Sequence, residues 1–545
     1  MTTWKERVLQ MRDEQKRRAI PEAEADGLIE GRNAVIEALR AGAAIDKIYI
    51  ARGETDAALG HIASSARDKG VVVVEADRRK LDGMSRTKSH QGVVAIAAVR
   101  EYADVEDILA AAREAVERAG ADKTALVALG ISNQRETVAA WDRETGEPLC
   151  NAIVWQCARA REICAGLEAH AGLIKERTGL NLSPYFSAPK LSWMLQNLPA
   201  VSQAAQRGTL CLGTIDSWLV FRLSRERAFK TDYSNASRTQ LFNIHTLQWD
   251  EKLCTLYGVP IAALPEVCMS DACFGCTDLG GWLEKPIPIC GVLGDSHAAL
   301  LGQQCRAPGQ VKATYGTGSS VMMHIGGQPK GSASGLVTSL AWGLDGKVEY
   351  VFEGNLNYTG AVMTWLREDV GLIRTDAEAT ELAARANPND QTYFVPAFTG
   401  LGAPYWDSAA TGLFTGITRT TGRAELARAC LDCIAYQITD LVELMRRDAG
   451  LPVELLRVDG GPTASGYLMQ FQSDLAGVTV QIPELQELSG MGAAYAAGFS
   501  AGLYDPDTIY EHIHCRRYTS AMDSAQRETR LDGWRRAVRQ ALAHS

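Results

Sequence analysis

The sequence predicts an α/β protein of two to four domains, and three observations carry that reading. The first is Pro286–Leu300, where the apolar run Ile289–Leu293, entered from Pro288 and closed by Gly294, predicts a buried strand. Asp295 follows at once, and Ala298, Ala299 and Leu300 predict the first turn of a helix. The second is an alternation of helix-like and strand-like segments over Leu28–Arg100. The third is a length of 545 residues, more than a single core usually serves.

An acid at the strand-to-helix corner stands where open α/β sheets place their ligands. It also faces a helix N-terminus, whose positive end favours a carboxylate. Some twenty residues on, Gly316-Thr317-Gly318 offers the small residues a backbone needs to approach a phosphate closely. These residues permit a carboxylate base beside a phosphate cradle. They equally permit a solvated helix cap followed by an ordinary hairpin.

Composition bounds the function. Hydrophobic residues make up 46% and charged residues 22%, as in ordinary globular proteins. The net charge of −9 argues against the whole chain being a nucleic-acid binder. Thirteen irregularly spaced cysteines fit reduced thiols better than a disulfide framework. The pairs Cys273/Cys276 and Cys430/Cys433 have no second pair or His-x3-His to complete a zinc site, so no metal site is expected. No apolar run reaches transmembrane length, and Met1–Gly27, with six basic and six acidic residues, is too charged for a signal peptide. A cytoplasmic protein with no membrane partner is expected.

In chain order, 1–27 reads as a charged leader. Ala34–Ala41 and Asp56–Lys69 read as helices, and Ile45–Ala51, Val71–Glu75 and Val93–Val99 as strands. Gly31–Leu39, Ile45–Ile50 and His90-Gln-Gly-Val-Val94 together resemble the substrate-binding module of SpoU/TrmH-class RNA ribose methyltransferases. That resemblance implies RNA docking through residues 28–104, and Arg78, Arg79, Lys80, Arg86 and Lys88 could neutralise phosphates. A solvated basic loop is the alternative. Glu101–Gly120 reads as one helix with Ile108, Leu109, Ala112 and Val116 on one face, and Ala125–Leu129 as an apolar strand.

From about Ile108 onward a second resemblance appears. Ile131–Thr137, Asn151–Gln156, Ser183–Ser187, Thr231–Thr239, Asn243–Asp250, Gly294-Asp295, Tyr315–Gly318 and Val458–Gly461 occur in this order. The chain is thereby similar to the FGGY carbohydrate kinases, and within them to the glycerol kinases. This implies an actin/hexokinase-like (ribonuclease H-like) fold with lobes at 108–303 and 304–545 and a site between them. It implies transfer of phosphoryl from ATP, with Mg2+, to a polyol, in a homo-oligomer. By resemblance Asp295 is the general base. Arg135, Glu136, Trp155, Tyr185 and Ser296 line the polyol site. Gly316, Thr317, Gly318, Gly360, Thr364, Gly460, Gly461 and Ser465 line the ATP site.

The departures from that pattern carry expectations of their own. Ser296 stands where glycerol kinases have Gln, and Ser320 where they place a Phe, so a larger, more polar pocket and a bigger polyol are expected. Thr364 and Ser465 replace amides near adenine, and Asp271–Gly275 lacks the histidine that some relatives phosphorylate. No Asp-x-Gly-Thr occurs anywhere, so an incomplete first lobe without its first phosphate loop is expected, with an edge strand left unpaired. The alternatives are an RNA-binding module on a catalytically impaired kinase-like scaffold, and a chimera of two truncated genes.

Overall fold

The computed structural model describes residues 28–41, 45–53, 56–68, 71–85, 90–97, 104–398, 400–407, 409–485 and 487–543. The chain divides into two units, Met1–Ala119 and Gly120–Ser545.

The first unit contains β1 (Leu28–Glu30), α1 (Arg32–Ala41), β2 (Ile45–Ala51), α2 (Ala57–Asp68), β3 (Val72–Ala76), α3 (Arg78–Met84), β4 (Val93–Ala97) and α4 (Val105–Arg118). Its sheet runs β1-β4-β2-β3, with β2 and β3 parallel. Val35, Ile48, Ile62 and Val93 are fully buried in its core. The periodicity anticipated α1, α2 and the three longer strands to within two residues at the described ends; β1 and α3 went unread. His90 is a turn former. Its ring lies buried with Nε2 3.0 Å from the Asp82 carboxylate and Nδ1 accepting from Gly92 N–H at 3.0 Å. Of the basic cluster, Lys80 stacks its ammonium 4.9 Å over the Tyr49 ring, while Arg86, Lys88 and the Arg79 side chain lie outside what is described. The 1–27 leader also lies outside the described residues.

Helix α4 starts at an Asp104 capping box, and its half-buried stripe is Val105, Leu109, Ala112 and Val116. Ile108 is exposed rather than part of that face.

The second unit opens with a correction. Ala125–Leu129 is not a strand: Asp122 accepts the Thr124 N–H at 2.9 Å and winds Lys123–Ala125 into a 3₁₀ turn. The strand β5 is Leu129–Asn133. It carries polar residues inward because each finds a partner, Ser132 at Ser489 and Asn133 at Asn235. Among the later strands, four matter for the site: β6 (Val138–Asp142), β7 (Leu210–Thr214), β8 (Gly275–Thr277) and β9 (Ile287–Gly294). β5 and β9 pair in parallel in a three-stranded sheet of order β8-β9-β5, so β5 is an edge strand among the described residues. β6 and β7 pair separately, over a core of Val138, Leu191, Met194, Leu212 and Leu253.

The second lobe is a seven-stranded sheet. Taking β10 (Val311–Tyr315), β11 (Ser319–Gly326), β12 (Val337–Leu344), β13 (Lys347–Leu356), β14 (Leu455–Asp459), β15 (Thr479–Pro483) and β16 (Cys515–Tyr518), the order is β12-β13-β11-β10-β14-β15-β16. Its core gathers Val321, Phe352, Ile434, Leu441 and Val458. Much of that core comes from the 27-residue helix Arg423–Ala449, which begins with Glu425 accepting the Gly422 N–H and ends at Gly450 in the left-handed region. Cys430 and Cys433 are buried in this helix, and no cluster of three metal-ligating side chains occurs among the described residues. Nor is any described helix long and apolar enough to cross a membrane.

Candidate active site

Asp295 is the first residue of α5 (Asp295–Gly302), directly after β9. β9 is buried along almost its whole length, as befits a strand covered on both faces. At Gly291 the strand adopts φ +77° in a break of register, and a Cβ there would lie 2.6 Å from the Ala493 carbonyl oxygen. The corner is held from below. Gly294 N–H donates to Ser234 Oγ at 2.8 Å, and that hydroxyl donates to the buried Asp232 at 3.0 Å. The carboxylate itself is 46% exposed, accepts the Ser296 N–H at 2.6 Å, and lies 3.3 Å from Arg135 Nε.

Arg135 and Glu136 follow β5 in a tight turn where Thr137 N–H reaches the Arg135 carbonyl at 2.7 Å and Glu136 takes φ +60°. A non-glycine residue in that region is strained and needs surrounding contacts to hold it. They are present. Arg238 Nε donates to Glu136 Oε1 at 2.6 Å, and Arg135 makes a two-pronged pair with Glu353 at 2.8 and 2.9 Å. Burial works against the Arg135 charge, but the carboxylates of Glu353, Glu136 and Asp295 outweigh it and hold the guanidinium well above its ordinary pKa.

Trp155 and Tyr185 meet edge to face, centroids 5.6 Å apart, and the Trp155 backbone N–H donates to Thr137 Oγ1. Lys190, fully buried, turns its ammonium onto the carbonyls of Pro184, Tyr185 and Phe186 and so fixes the Tyr185 turn. Burial lowers its pKa to about 8.

On the second lobe, Gly316-Thr317-Gly318 is the tip of the β10–β11 hairpin, with Gly316 and Thr317 exposed. Gly318 has a packing reason apart from any ligand, since a Cβ there would lie 2.4 Å from the Leu356 carbonyl oxygen. The N–H groups of Gly360 and Ala361, opening α6 (Gly360–Glu368), donate to the carbonyls of Gly316 and Thr317 at 2.9 and 3.0 Å. A Cβ on Gly360 would sit 2.6 Å from the Gly316 oxygen. β10 and β14 run parallel with Thr314 opposite Asp459, so Gly460 and Gly461 leave the sheet beside the hairpin tip. Gly460, at φ +100°, packs on Tyr315, whereas the Cβ direction of Gly461 is open. Thr364 lies one turn into α6 on its exposed side. The Ser465 hydroxyl caps the helix Gly466–Ala476 and bonds Thr380 at 2.9 Å. Beneath both loops Lys312 is fully buried, 2.9 Å from Thr314 Oγ1. Burial lowers its pKa, against the pull of Asp459.

The two sets face one another. Ser320, two residues past Gly318, donates to the same Glu353 that holds Arg135, at 3.4 Å. The acid, the Arg–Glu turn and the glycine hairpin are therefore joined through one carboxylate.

Models of known families match this architecture. Residues 95–302 match the N-terminal domain, and 311–501 the C-terminal domain, of the FGGY family of carbohydrate kinases. The chain belongs to the FGGY carbohydrate kinases. It is 45% identical to glycerol kinase 2 of Thermotoga maritima over 443 residues, covering 80% of this chain and 89% of that one. It is 47% identical to the glycerol kinase of Burkholderia cenocepacia over 439 residues, covering 79% and 87%. Among solved structures it is similar to Plasmodium falciparum glycerol kinase with ADP, with a TM-score of 0.76, 32% identity, and 83% and 94% of the two chains covered. A Lactobacillus acidophilus xylulose kinase, at 22% identity and TM-score 0.70, shares the fold. Residues 28–103 match the substrate-binding domain of RNA 2'-O ribose methyltransferases, so this FGGY kinase carries that module ahead of its lobes.

Sequence reasoning missed Glu353, Arg238, Lys190 and Lys312 as parts of the site. The signal at Glu353 was available: one charge inside the apolar strand Tyr350-Val-Phe-Glu-Gly354 has to be paired.

Proposed function

We propose that the chain phosphorylates glycerol or a related polyol at the expense of ATP. What carries this reading is the Asp295 carboxylate, partly exposed, 3.3 Å from Arg135, and linked through Glu353 to the glycine hairpin. Asp295 takes the proton of the acceptor hydroxyl. The oxygen then bonds to the γ-phosphorus as its bond to the ADP oxygen breaks. Arg135 donates to polyol oxygens, Glu136 accepts from polyol hydroxyls, and Trp155 with Tyr185 walls the carbon chain. Gly316–Gly318, Gly360, Gly460 and Gly461 face the nucleotide, with Thr364 and Ser465 towards its base. Mg2+ arriving on ATP needs only one or two carboxylates besides phosphate and water. Asp459, whose Oδ1 has no hydrogen-bond partner among the described residues, fits that demand.

The first lobe, 108–303, is read as incomplete: there is no Asp-x-Gly-Thr, and β5 stands at a sheet edge among the described residues. The phosphates then rest mainly on the second lobe, 304–545. A cytoplasmic homo-oligomer accords with the family.

ADP release across glycerol, erythritol, ribitol and xylitol tests the reading, and no turnover with any of them ends it. Ser296 and Ser320 in place of larger side chains predict kcat/KM for a four- or five-carbon polyol at or above that for glycerol. Ser320→Phe should cut turnover of the longer polyols at least tenfold more than that of glycerol. Glycerol far ahead of the rest in the wild type would remove the enlarged pocket alone.

A second reading concerns residues 28–104, and the methyltransferase-module match favours it. They dock RNA through phosphate contacts. Binding of a structured RNA by the full chain should weaken steeply between 50 and 200 mM salt. A flat response would exclude phosphate docking.

A further inference from the structure

The Arg135–Glu136 turn and the sheet that bears Glu353 belong to different lobes. Glu353 is on β13, at the centre of its apolar stretch, and its side chain is wholly buried. Its Oε1 and Oε2 receive Arg135 Nη2 at 2.8 Å and Nη1 at 2.9 Å. Arg238 Nη1 lies 2.8 Å from Oε2, and Ser320 Oγ donates to Oε1 at 3.4 Å. Arg238 in turn donates to Glu136 Oε1. Two arginines and two glutamates, each at most 5% exposed, thus form a buried cluster of zero formal charge, with the Asp295 carboxylate at its open edge. Burial would raise the Glu353 pKa, but Arg135 and Arg238 reverse that and keep it ionised. Of the carboxylates acting on Arg135, Glu136 and Asp295 come from the first lobe and Glu353 from the second.

Glu353 therefore fixes both ends of the guanidinium. Each Nη spends one of its two N–H groups on Glu353, and Nε lies 3.3 Å from Asp295 without a hydrogen-bond partner among the described residues, which leaves donors for an acceptor molecule. Resting on the polyol-kinase reading, we infer that Glu353 is a positioning residue for the acceptor. It draws the strained Arg135–Glu136 turn of the first lobe onto the second lobe's sheet, so the polyol-binding geometry is complete only while the lobes are joined there. The acceptor site is thereby coupled to the approach of the lobe that carries the nucleotide loops. Such placement matters because a reacting hydroxyl displaced by about an ångström can lose 10²-fold in rate.

The test is Glu353→Gln, which keeps the shape and removes the charge. The expected result is a polyol KM raised at least tenfold, a lowered kcat and an ATP KM within twofold of wild type, with Glu353→Asp intermediate. A purely structural role would move both KM values together or neither. An unpaired buried arginine can prevent folding. The double variant Glu353→Gln/Arg238→Gln loses one charge of each sign and keeps the network neutral; it should show the same polyol-specific loss. Binding is followed separately by tryptophan fluorescence on polyol titration, with Trp155→Phe as the blank. An unchanged polyol KM in the folded variants, or equal losses for polyol and ATP, overturns the inference and leaves the kinase reading standing. A wild-type chain that neither turns over nor responds to any polyol overturns both.

Discussion

Asp295→Asn is expected to lower kcat for polyol phosphorylation by roughly 10²–10⁴-fold, the usual worth of a positioned general base. The amide keeps the shape and can still sit by Arg135, but it cannot accept the hydroxyl proton. The carboxylate's placement makes the comparison a clean one. It is 46% exposed, and Arg135 retains its two-pronged partner Glu353 when the Asp295 charge is gone. The folded state loses only an exposed charge at a helix N-terminus, generally about 0.3–1 kcal/mol. Urea unfolding of the variant should therefore nearly superimpose on wild type while ADP release collapses. The ATP KM should stay within a few-fold, because the glycine loops belong to the other lobe. A variant retaining a tenth of wild-type turnover would take the base role away from Asp295.

Parts of this site were legible because local chemistry determines them. The apolar run Ile289–Leu293, closed by Gly294, predicts a buried strand and β9 is one, while α5 opens at Asp295, ahead of the first turn expected at Ala298. Ile45–Ala51 is a strand residue for residue. Elsewhere the decisive partner is remote in sequence. Arg135 and Glu353 are 218 positions apart, so neither strand pattern nor spacing could pair them. Glycines in a hairpin say that something comes close without saying what. At Gly360 the close neighbour is the Gly316 carbonyl, and at Gly461 the space is open. The misplaced strand at Ala125–Leu129 failed for a local reason, since the Asp122 carboxylate captures the Thr124 N–H and apolar content alone gave no hint of it. Ile108 looked like part of the α4 stripe by spacing, yet Val105 occupies the buried position one turn earlier.

The helix α7 (Leu488–Ser500) gives a prediction in which two glycines, two residues apart, respond with opposite sign. Gly492 faces α5, the helix that Asp295 opens. A Cβ there would overlap the Ala298 carbonyl oxygen and stand 2.5 Å from its carbon. Both contacts are backbone, so no side chain can swing aside, and α5 itself would have to move. Gly302 shows the same closeness from the other side, a Cβ there falling 3.1 Å from the Leu488 carbonyl carbon. Gly492→Ala is therefore expected to cost about 3 kcal/mol or more, the upper end for overpacking. Gly490 has nothing within 4 Å of its would-be Cβ. Gly490→Ala should then stabilise by up to about 1 kcal/mol, the ordinary helical preference of alanine over glycine. Urea midpoints of the two variants should fall on opposite sides of wild type, and only Gly492→Ala should also lose turnover, because α5 carries the base. Equal midpoints would mean that α5 and α7 are not packed backbone to backbone, and the rigid seat assigned to Asp295 would go with them.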